Sequence, residues 1–262
     1  MISAALLLFL AQDGSVAAQP PRTVAEDRLT VCLDLARSDP AGAIAESSGW
    51  SSEASGAEAS YPQQCLGFAY SMLLRWDAAE SAFLDAREAA GAADPFRRAR
   101  LATMAGNAAL AGERGAAALA ALDLAAADAS GDDGLRAMVE VDRARALVML
   151  GREGEAEATL AAARTLDPQS PFAWLLSATL ARRLGKLEDA QGHIETAAAL
   201  SPDYPEIGLE AGVIAMLAGR AEAAEASWRS VIEIAPDSEA AASARAYLAQ
   251  VAELAADEPA VP

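Results

Sequence analysis

Acid–base catalysis and metal ligation most often call on histidine, and this chain has one, His193. It also has one lysine, Lys186, and both lie within LGKLEDAQGHIETAAALSP, residues 184–202. A lone imidazole, with no second histidine and no cysteine near it in the sequence, does not complete a tetrahedral N/S metal set. Nor does one histidine outside any cleft signal assemble a Ser/His/Asp or Cys/His nucleophile arrangement. The stretch DASGDDG, residues 128–134, glances at a calcium loop. Its sixth place, which needs glycine, holds Asp133, and its twelfth, which needs a bidentate glutamate, holds Val139. It is expected to be a polar turn between helices. Gly151-x-x-Gly154 lacks both the preceding strand and the Lys-Ser/Thr ending of a phosphate loop. The paired carboxylates that abound in the chain read as solvated helix faces. Catalysis is therefore not expected, nor any cofactor or metal. Cys32 and Cys65 are far apart without C-x-x-C spacing, which argues against redox catalysis.

Composition narrows the fold. Apolar residues make up 53% of the 262 positions but aromatics only 5%, because 70 residues are alanine. That usage favours helix nearly everywhere, and no alternating β-branched runs lie between turn signals. Twenty Lys and Arg against 38 Asp and Glu give a net charge of −18. Such a surface repels phosphate backbones, so nucleic-acid binding is not expected.

The start of the chain, MISAALLLFLAQDGSVAA, has an apolar core from Ala4 to Ala11 followed by Val16-Ala17-Ala18, a small-residue cleavage site. The run is too short to span a bilayer, and it departs from the usual leader in having no Lys or Arg before the core. No second apolar span follows, so no integral membrane span is expected. Residues 1–18 are expected to be a signal peptide cleaved after Ala18. The mature chain would begin at Gln19 and be periplasmic or secreted. An even cysteine count in an exported protein points to a Cys32–Cys65 disulfide, the alternative being two buried apolar thiols.

The opening stretch recurs. LGREGEAEATLAAARTLDP (150–168) precedes it and AGRAEAAEASWRSVIEIAP (218–236) follows it. Glycines fall at 151, 185 and 219, alanines at 156, 190 and 224, and prolines at 168, 202 and 236, each series stepping by 34. Between them Leu160, Ile194 and Trp228 recur, followed by Ala163, Ala197 and Val231, which makes one buried helix stripe. Glycine ends one helix, and proline breaks the chain or begins the next. On this register His193 aligns with Thr159 and Ser227, a position expected to face solvent. Lys186 aligns with Arg152 and Arg220, just after the turn glycine, where a cation suits the preceding helix C-terminus.

These residues resemble the tetratricopeptide repeat (TPR) family, helix–turn–helix units of roughly 34 residues with a W-x2-L-G-x2-Y…A-x3-F…P pattern. Trp174 takes the tryptophan place of the fourth unit. Leu66-Gly67-x-x-Tyr70 followed by Trp76, Ala79, Phe83 and Ala86 forms the first, and a weaker copy runs from Arg97 to Ala126 with Gly112, Ala117 and Leu124. The resemblance implies an all-α, right-handed helical-repeat solenoid of about five helix pairs over residues 62–236. Residues 19–61 form an N-terminal helical extension, with a helix over Val24–Arg37, a second ending near Gly49, and a loop from Ser51 to Ser60. A capping helix is expected over 237–256, its inner stripe Tyr247, Leu248, Val251 and Leu254, before a disordered tail at 257–262.

For function the resemblance implies a non-enzymatic scaffold that binds a protein or peptide, of unspecified identity, in a concave groove lined by the first helix of each unit. Carried over, that groove comprises Met138, Val141, Arg145, Val148 and Met149. It continues through Phe172, Leu175, Thr179, Arg182 and Arg183 to Leu209, Val213, Met216 and Leu217. Methionine and phenylalanine there suit an amphipathic segment, and the arginines suit an acidic side chain or a C-terminal carboxylate. The competing expectations are an envelope-assembly role for the convex face and, from another class, an enzyme with an unrecognised site.

Overall fold

The structure is a computed structural model that describes residues 22–257. The leader expected over residues 1–18, its cleavage point and residues 258–262 of the tail lie outside the described residues. Those described fold as thirteen α-helices and one 3-10 turn, with no strand among them. Helices α1 (Val24–Ser38) and α2 (Pro40–Glu53) lead, then the 3-10 turn Gly56–Ala59. Five pairs follow: α3 (Ser60–Met72) with α4 (Trp76–Ala90), α5 (Pro95–Ala111) with α6 (Gly115–Asp128), and α7 (Asp133–Met149) with α8 (Glu153–Leu166). The last two are α9 (Pro171–Arg183) with α10 (Leu187–Leu200), and α11 (Pro205–Leu217) with α12 (Ala221–Ile234), and α13 (Glu239–Asp257) ends the array. Each helix packs on its neighbours in sequence. The first helices of successive pairs also touch one another from α5 through α11, and α13 joins that row. The architecture is an all-α helical repeat.

Local chemistry sets the helix starts. Thr23 accepts from the Glu26 amide while Glu26 accepts from the Thr23 amide, a capping box for α1. Asp39, Asp94, Asp132 and Ser170 cap α2, α5, α7 and α9, and proline stands in the first turn of α2, α5, α9 and α11. The loop expected from Ser51 is shorter than the sequence suggested, because α2 runs on to Glu53 and the 3-10 turn fills much of the rest.

The turn inside each pair needs one left-handed residue. Gly151, Gly185 and Gly219 supply it in the last three pairs, with φ of 69°, 75° and 74°. In the first two, Leu74 and Glu113 do so at φ 56° each, at a cost of about 1–2 kcal/mol apiece for a residue with a Cβ. Gly112, the expected turn glycine, has φ −84°. The second unit therefore sits one residue later than the sequence reading places it. Ala118 and Ala125 face the core instead of Ala117 and Leu124, and Leu124 is exposed.

With that register the five pairs superpose chemically. Ala79, Ala118, Ala156, Ala190 and Ala224 are buried, as are Phe83, Leu122, Leu160, Ile194 and Trp228 one helical step on. Those large residues press on one spot of the first helix, occupied by Gly67, Gly106, Ala144, Ala178 and Gly212. A Cβ on Gly67 would lie 2.7 Å from the Phe83 ring, and one on Gly212 would lie 2.2 Å from Trp228 Nε1. Phe83, Leu122 and Trp228 have glycine opposite, and Leu160 and Ile194 tolerate alanine.

At the N-terminal end α1, α2 and α3 share a core built on Cys32, Ala43, Trp50, Cys65 and Ala69. A disulfide joins Cys32 of α1 to Cys65 of α3 with Cα atoms 6.1 Å apart, closing a loop of 33 residues. Loop closure of that length contributes roughly 3–4 kcal/mol in the chain-entropy view. At the other end Ala240, Ala241 and Ala244 are the buried face of α13, with Leu248 and Val251 beside them. Leu254, expected inside, is 65% exposed, and Tyr247, packed on Trp228, is 37% exposed.

Two glycine substitutions should move stability in opposite directions. Gly212→Ala must displace the Trp228 ring and should cost about 1–3 kcal/mol. Gly192→Ala, in the middle of α10 with nothing within 4 Å, should gain about 0.5–1 kcal/mol. Urea melts of both variants measure this, and equal signs would overturn the packing account.

Candidate functional site

Three clefts follow the first helices. One cleft of about 430 Å³ lies between α7 and α9, lined by Arg145, Val148, Met149, Leu176, Thr179 and Arg183, with Leu110, Ala144, Leu160 and Leu180 forming the rest of its walls. A second, of about 320 Å³, lies between the same helices and is lined by Met138, Val141, Asp142, Arg145, Ser170, Phe172, Leu175 and Leu176. Arg145 and Leu176 line both, so the two make one trough. A third cleft of about 280 Å³ lies where α11 and α12 meet α13, lined by Val213, Met216, Leu217, Trp228, Tyr247, Gln250, Val251 and Leu254.

Most residues singled out from the sequence are therefore in clefts, and the structure divides them. Met138, Val141, Arg145, Val148, Met149, Phe172, Leu175, Thr179 and Arg183 belong to the α7–α9 trough. Val213, Met216 and Leu217 belong to the C-terminal cleft. Two line neither. Arg182 Nε donates to Glu210 Oε1 at 2.6 Å and Nη2 to Oε2 at 3.3 Å, a two-point bond from α9 to α11. Leu209 is packed with Trp228, whose Nε1 donates to the Leu209 carbonyl at 3.2 Å.

The arginines of the trough differ in freedom. Arg145 pairs with Asp142 one turn back at 2.9 Å yet stays half exposed. Asp142 in turn accepts from Asn107 Nδ2 at 2.9 Å, which holds the carboxylate against α5. Arg183, exposed at the last turn of α9, has no ion pair among the described residues. Met138 is 64% exposed and Phe172 49%, the latter edge-on to Tyr204 at 5.1 Å between centroids. The trough is thus an apolar floor with a guanidinium on either side.

Lys186 is not a cap for α9. Its ammonium reaches Glu157 of the preceding pair at 2.6 Å, while its backbone amide closes the turn on the Ala181 carbonyl. Every pair has a cation here: Arg75, Arg114, Arg152, Lys186 and Arg220. Arg114 bonds Asp77 and Glu80, and Arg220 bonds Gln191, in the same backward direction. Glu80, Glu157 and Gln191 share one register, where the second pair has Leu119, and Arg152 accordingly turns to Glu155 on its own helix. The exposed Lys186–Glu157 strap contributes at most about 1 kcal/mol, whereas the Glu80 side chain in the Arg114 strap is only 14% exposed.

His193 does not face open solvent. It is half-buried, tilted against Trp174 with centroids 5.6 Å apart, and it lines a separate cavity with Glu157, Arg164, Ser177 and Asp189. Burial, and then the Arg164 charge, hold its pKa below the usual imidazole value. Among the described residues no three His, Cys, Asp or Glu side chains gather to hold a metal, and no helix is long and apolar enough to cross a membrane. The polar turn after α6 hides what the sequence did not signal. Asp128 is partly buried and bonded by both Arg87 and Arg98, at 2.6 and 3.2 Å.

Residues 181–251 match the tetratricopeptide repeat family model. The TPR match runs from the end of α9 through most of α13. Solved structures with the same fold include PilW, described as a widely conserved type IV pilus biogenesis factor. It is 19% identical, with a TM-score of 0.66 over 84% of this chain and 97% of that one. PilF of Pseudomonas aeruginosa is 14% identical, with a TM-score of 0.62 over 87% and 100%. A thermophilic TPR protein of Thermus thermophilus is 21% identical, with a TM-score of 0.59 over 72% and 98%. At these identities the likeness is one of fold. No curated protein sequence matches the chain.

The depressed His193 pKa fixes the sign of one pH effect. The folded state binds this proton less tightly than the unfolded chain, so its contribution to stability is present above about 6.5 and declines as the pH falls below that value. Thermal melts of the wild type and His193→Gln across that range should show a shallower acid-side decline in the variant. Parallel curves would show that the imidazole titrates as a free one.

Proposed function

We propose that this protein is a non-enzymatic scaffold of the cell envelope that holds an extended or helical protein segment in the trough between α7 and α9. The observation that carries the reading is that trough itself, apolar along its floor and flanked by the exposed guanidiniums of Arg145 and Arg183. In TPR solenoids the first-helix row forms the inner face, and the repeat match over residues 181–251 supports an interaction module in general terms. Exposed Met138 and Phe172 offer adaptable contacts, and an acidic residue on the partner pairs with either arginine. Arg182 is spoken for by Glu210 and is not part of this surface. The leader-like sequence of residues 1–18 and the Cys32–Cys65 bond both support an oxidising compartment outside the cytoplasm.

The test is the triple change Met138→Ser, Phe172→Ser, Arg183→Glu. All three side chains are exposed, so helicity and melting temperature should stay near wild type, while partners recovered by cross-linking in envelope extracts should be lost. Undiminished recovery with helicity intact would move binding to another face. For export, the protein should fractionate outside the cytoplasm with Gln19 at its N-terminus, and a cytoplasmic protein retaining Met1 would overturn that part.

A further inference from the structure

The cavity that contains His193 lies on the second-helix side of the third and fourth pairs and is separate from the trough. Leu160 and Leu180 form walls of both, so two leucine side chains divide them. It holds about 330 Å³, within the range of small-molecule sites. Its interior end is built from Arg164 and Ser177, and its mouth from Glu157 and the exposed Asp189.

Arg164 is the unusual element. Its guanidinium stacks on the Trp174 ring, 5.1 Å from the centroid. Nη1 donates to the Ser177 hydroxyl, which is buried and itself donates to the Ala173 carbonyl at 2.7 Å. Nε and Nη2 have no hydrogen bond to the described residues, and no carboxylate lies within ion-pair distance. The same chain shows what this position takes when it is satisfied. Arg87 occupies the equivalent place in the first pair, and its guanidinium is bonded by Asp128 from the second helix of the next pair. Counted from the turn residues Glu113 and Gly185, the place of Asp128 is held in the fourth pair by Leu200. Asp128 is the one carboxylate at this place, which Ala89, Leu166, Leu200 and Ile234 hold in the other pairs, so no carboxylate of the next pair meets Arg164, and a cavity stands beside it instead.

We propose that this cavity binds a small amino-acid-type zwitterion, its carboxylate on Nε and Nη2 of Arg164 and its ammonium at Asp189. A guanidinium with two adjacent free donors is matched to a carboxylate, and the stacking on Trp174 and the Ser177 bond fix its plane in advance. The charge pattern selects the rest of the ligand. Glu157 is already paired with Lys186, whereas Asp189 has no ion pair among the described residues. A protein of net charge −18 repels free anions, and a zwitterion escapes that repulsion while filling both ends. The site stands whether or not the trough binds a partner.

Calorimetric titration of the purified protein with the free amino acids, each beside its deaminated and its decarboxylated analogue, tests the assignment. At least one amino acid should bind and raise the melting temperature, and both of its analogues should bind at least roughly tenfold more weakly, about 1.4 kcal/mol. Arg164→Gln should weaken binding by a similar factor. Asp189→Asn, at an exposed side chain, should weaken it with the ligand-free melting temperature unchanged, and it carries the test if Arg164→Gln lowers that temperature. No binding by any amino acid at millimolar concentration, analogues that bind as well as the parent, or wild-type affinity in Asp189→Asn would each overturn the proposal.

Discussion

Everything in this molecule depends on how closely the two helices of each pair approach. The approach is set by one contact, a large side chain of the second helix pressed onto a glycine or alanine of the first. Where the large residue is Phe83, Leu122 or Trp228, the partner is Gly67, Gly106 or Gly212, and a Cβ there would overlap the side chain. Where it is Leu160 or Ile194, alanine fits. The pair distance is thereby held while the residues change, and a constant distance is what lets successive pairs stack without accumulating error. The same constraint explains the alanine content. A closely spaced array has little room between helices, so Ala79, Ala118, Ala156, Ala190 and Ala224 fill it at full burial.

That economy has a consequence at the surface. A core made of alanine leaves the larger apolar side chains of the first helices without an interior place. Met138, Phe172 and Leu217 are exposed on the first-helix row, and the clefts there are their product. An acidic protein can carry this apolar surface because its charge keeps it in solution. It also has the means to cover part of it, since α13 lays Tyr247 and Val251 along the last cleft while leaving Leu254 open.

The fold was legible because its determinants are local and periodic. Glycines, alanines and prolines at a fixed step mark turn, contact and break, and they located the last three pairs. In the first two, Leu74 and Glu113 adopt the left-handed turn conformation without glycine. The visible Gly112 therefore drew the register one residue early and put Leu124 in the core instead of Ala125. The site was legible only as a row of positions. Sequence placed Arg145, Arg182 and Arg183 alike, because nothing in α9 reveals that Glu210, on another helix, claims Arg182. His193 was misplaced for a related reason. Its repeat counterparts Thr159 and Ser227 are small, and the sequence does not show that a histidine in that place reaches Trp174.

The departures from the repeat say more about function than the repeat does. A periodic scaffold satisfies each polar group with a neighbour one step away, as the backward straps from Arg114, Lys186 and Arg220 do. When one unit changes, its neighbour's partner vanishes while the scaffold remains. Leu119 in place of a carboxylate sends Arg152 to its own helix, where Glu155 satisfies it in water at no cost to packing. Arg164 has a different outcome: Leu200 offers it no carboxylate, and its guanidinium lies on Trp174 and Ser177 instead. That guanidinium is kept in a fixed plane with Nε and Nη2 unbonded to protein and open to solvent, so a carboxylate entering the cavity meets a donor pair already in place. A preset donor pair beside a cavity, where Arg87 has Asp128, is the physical case for reading this junction as a site.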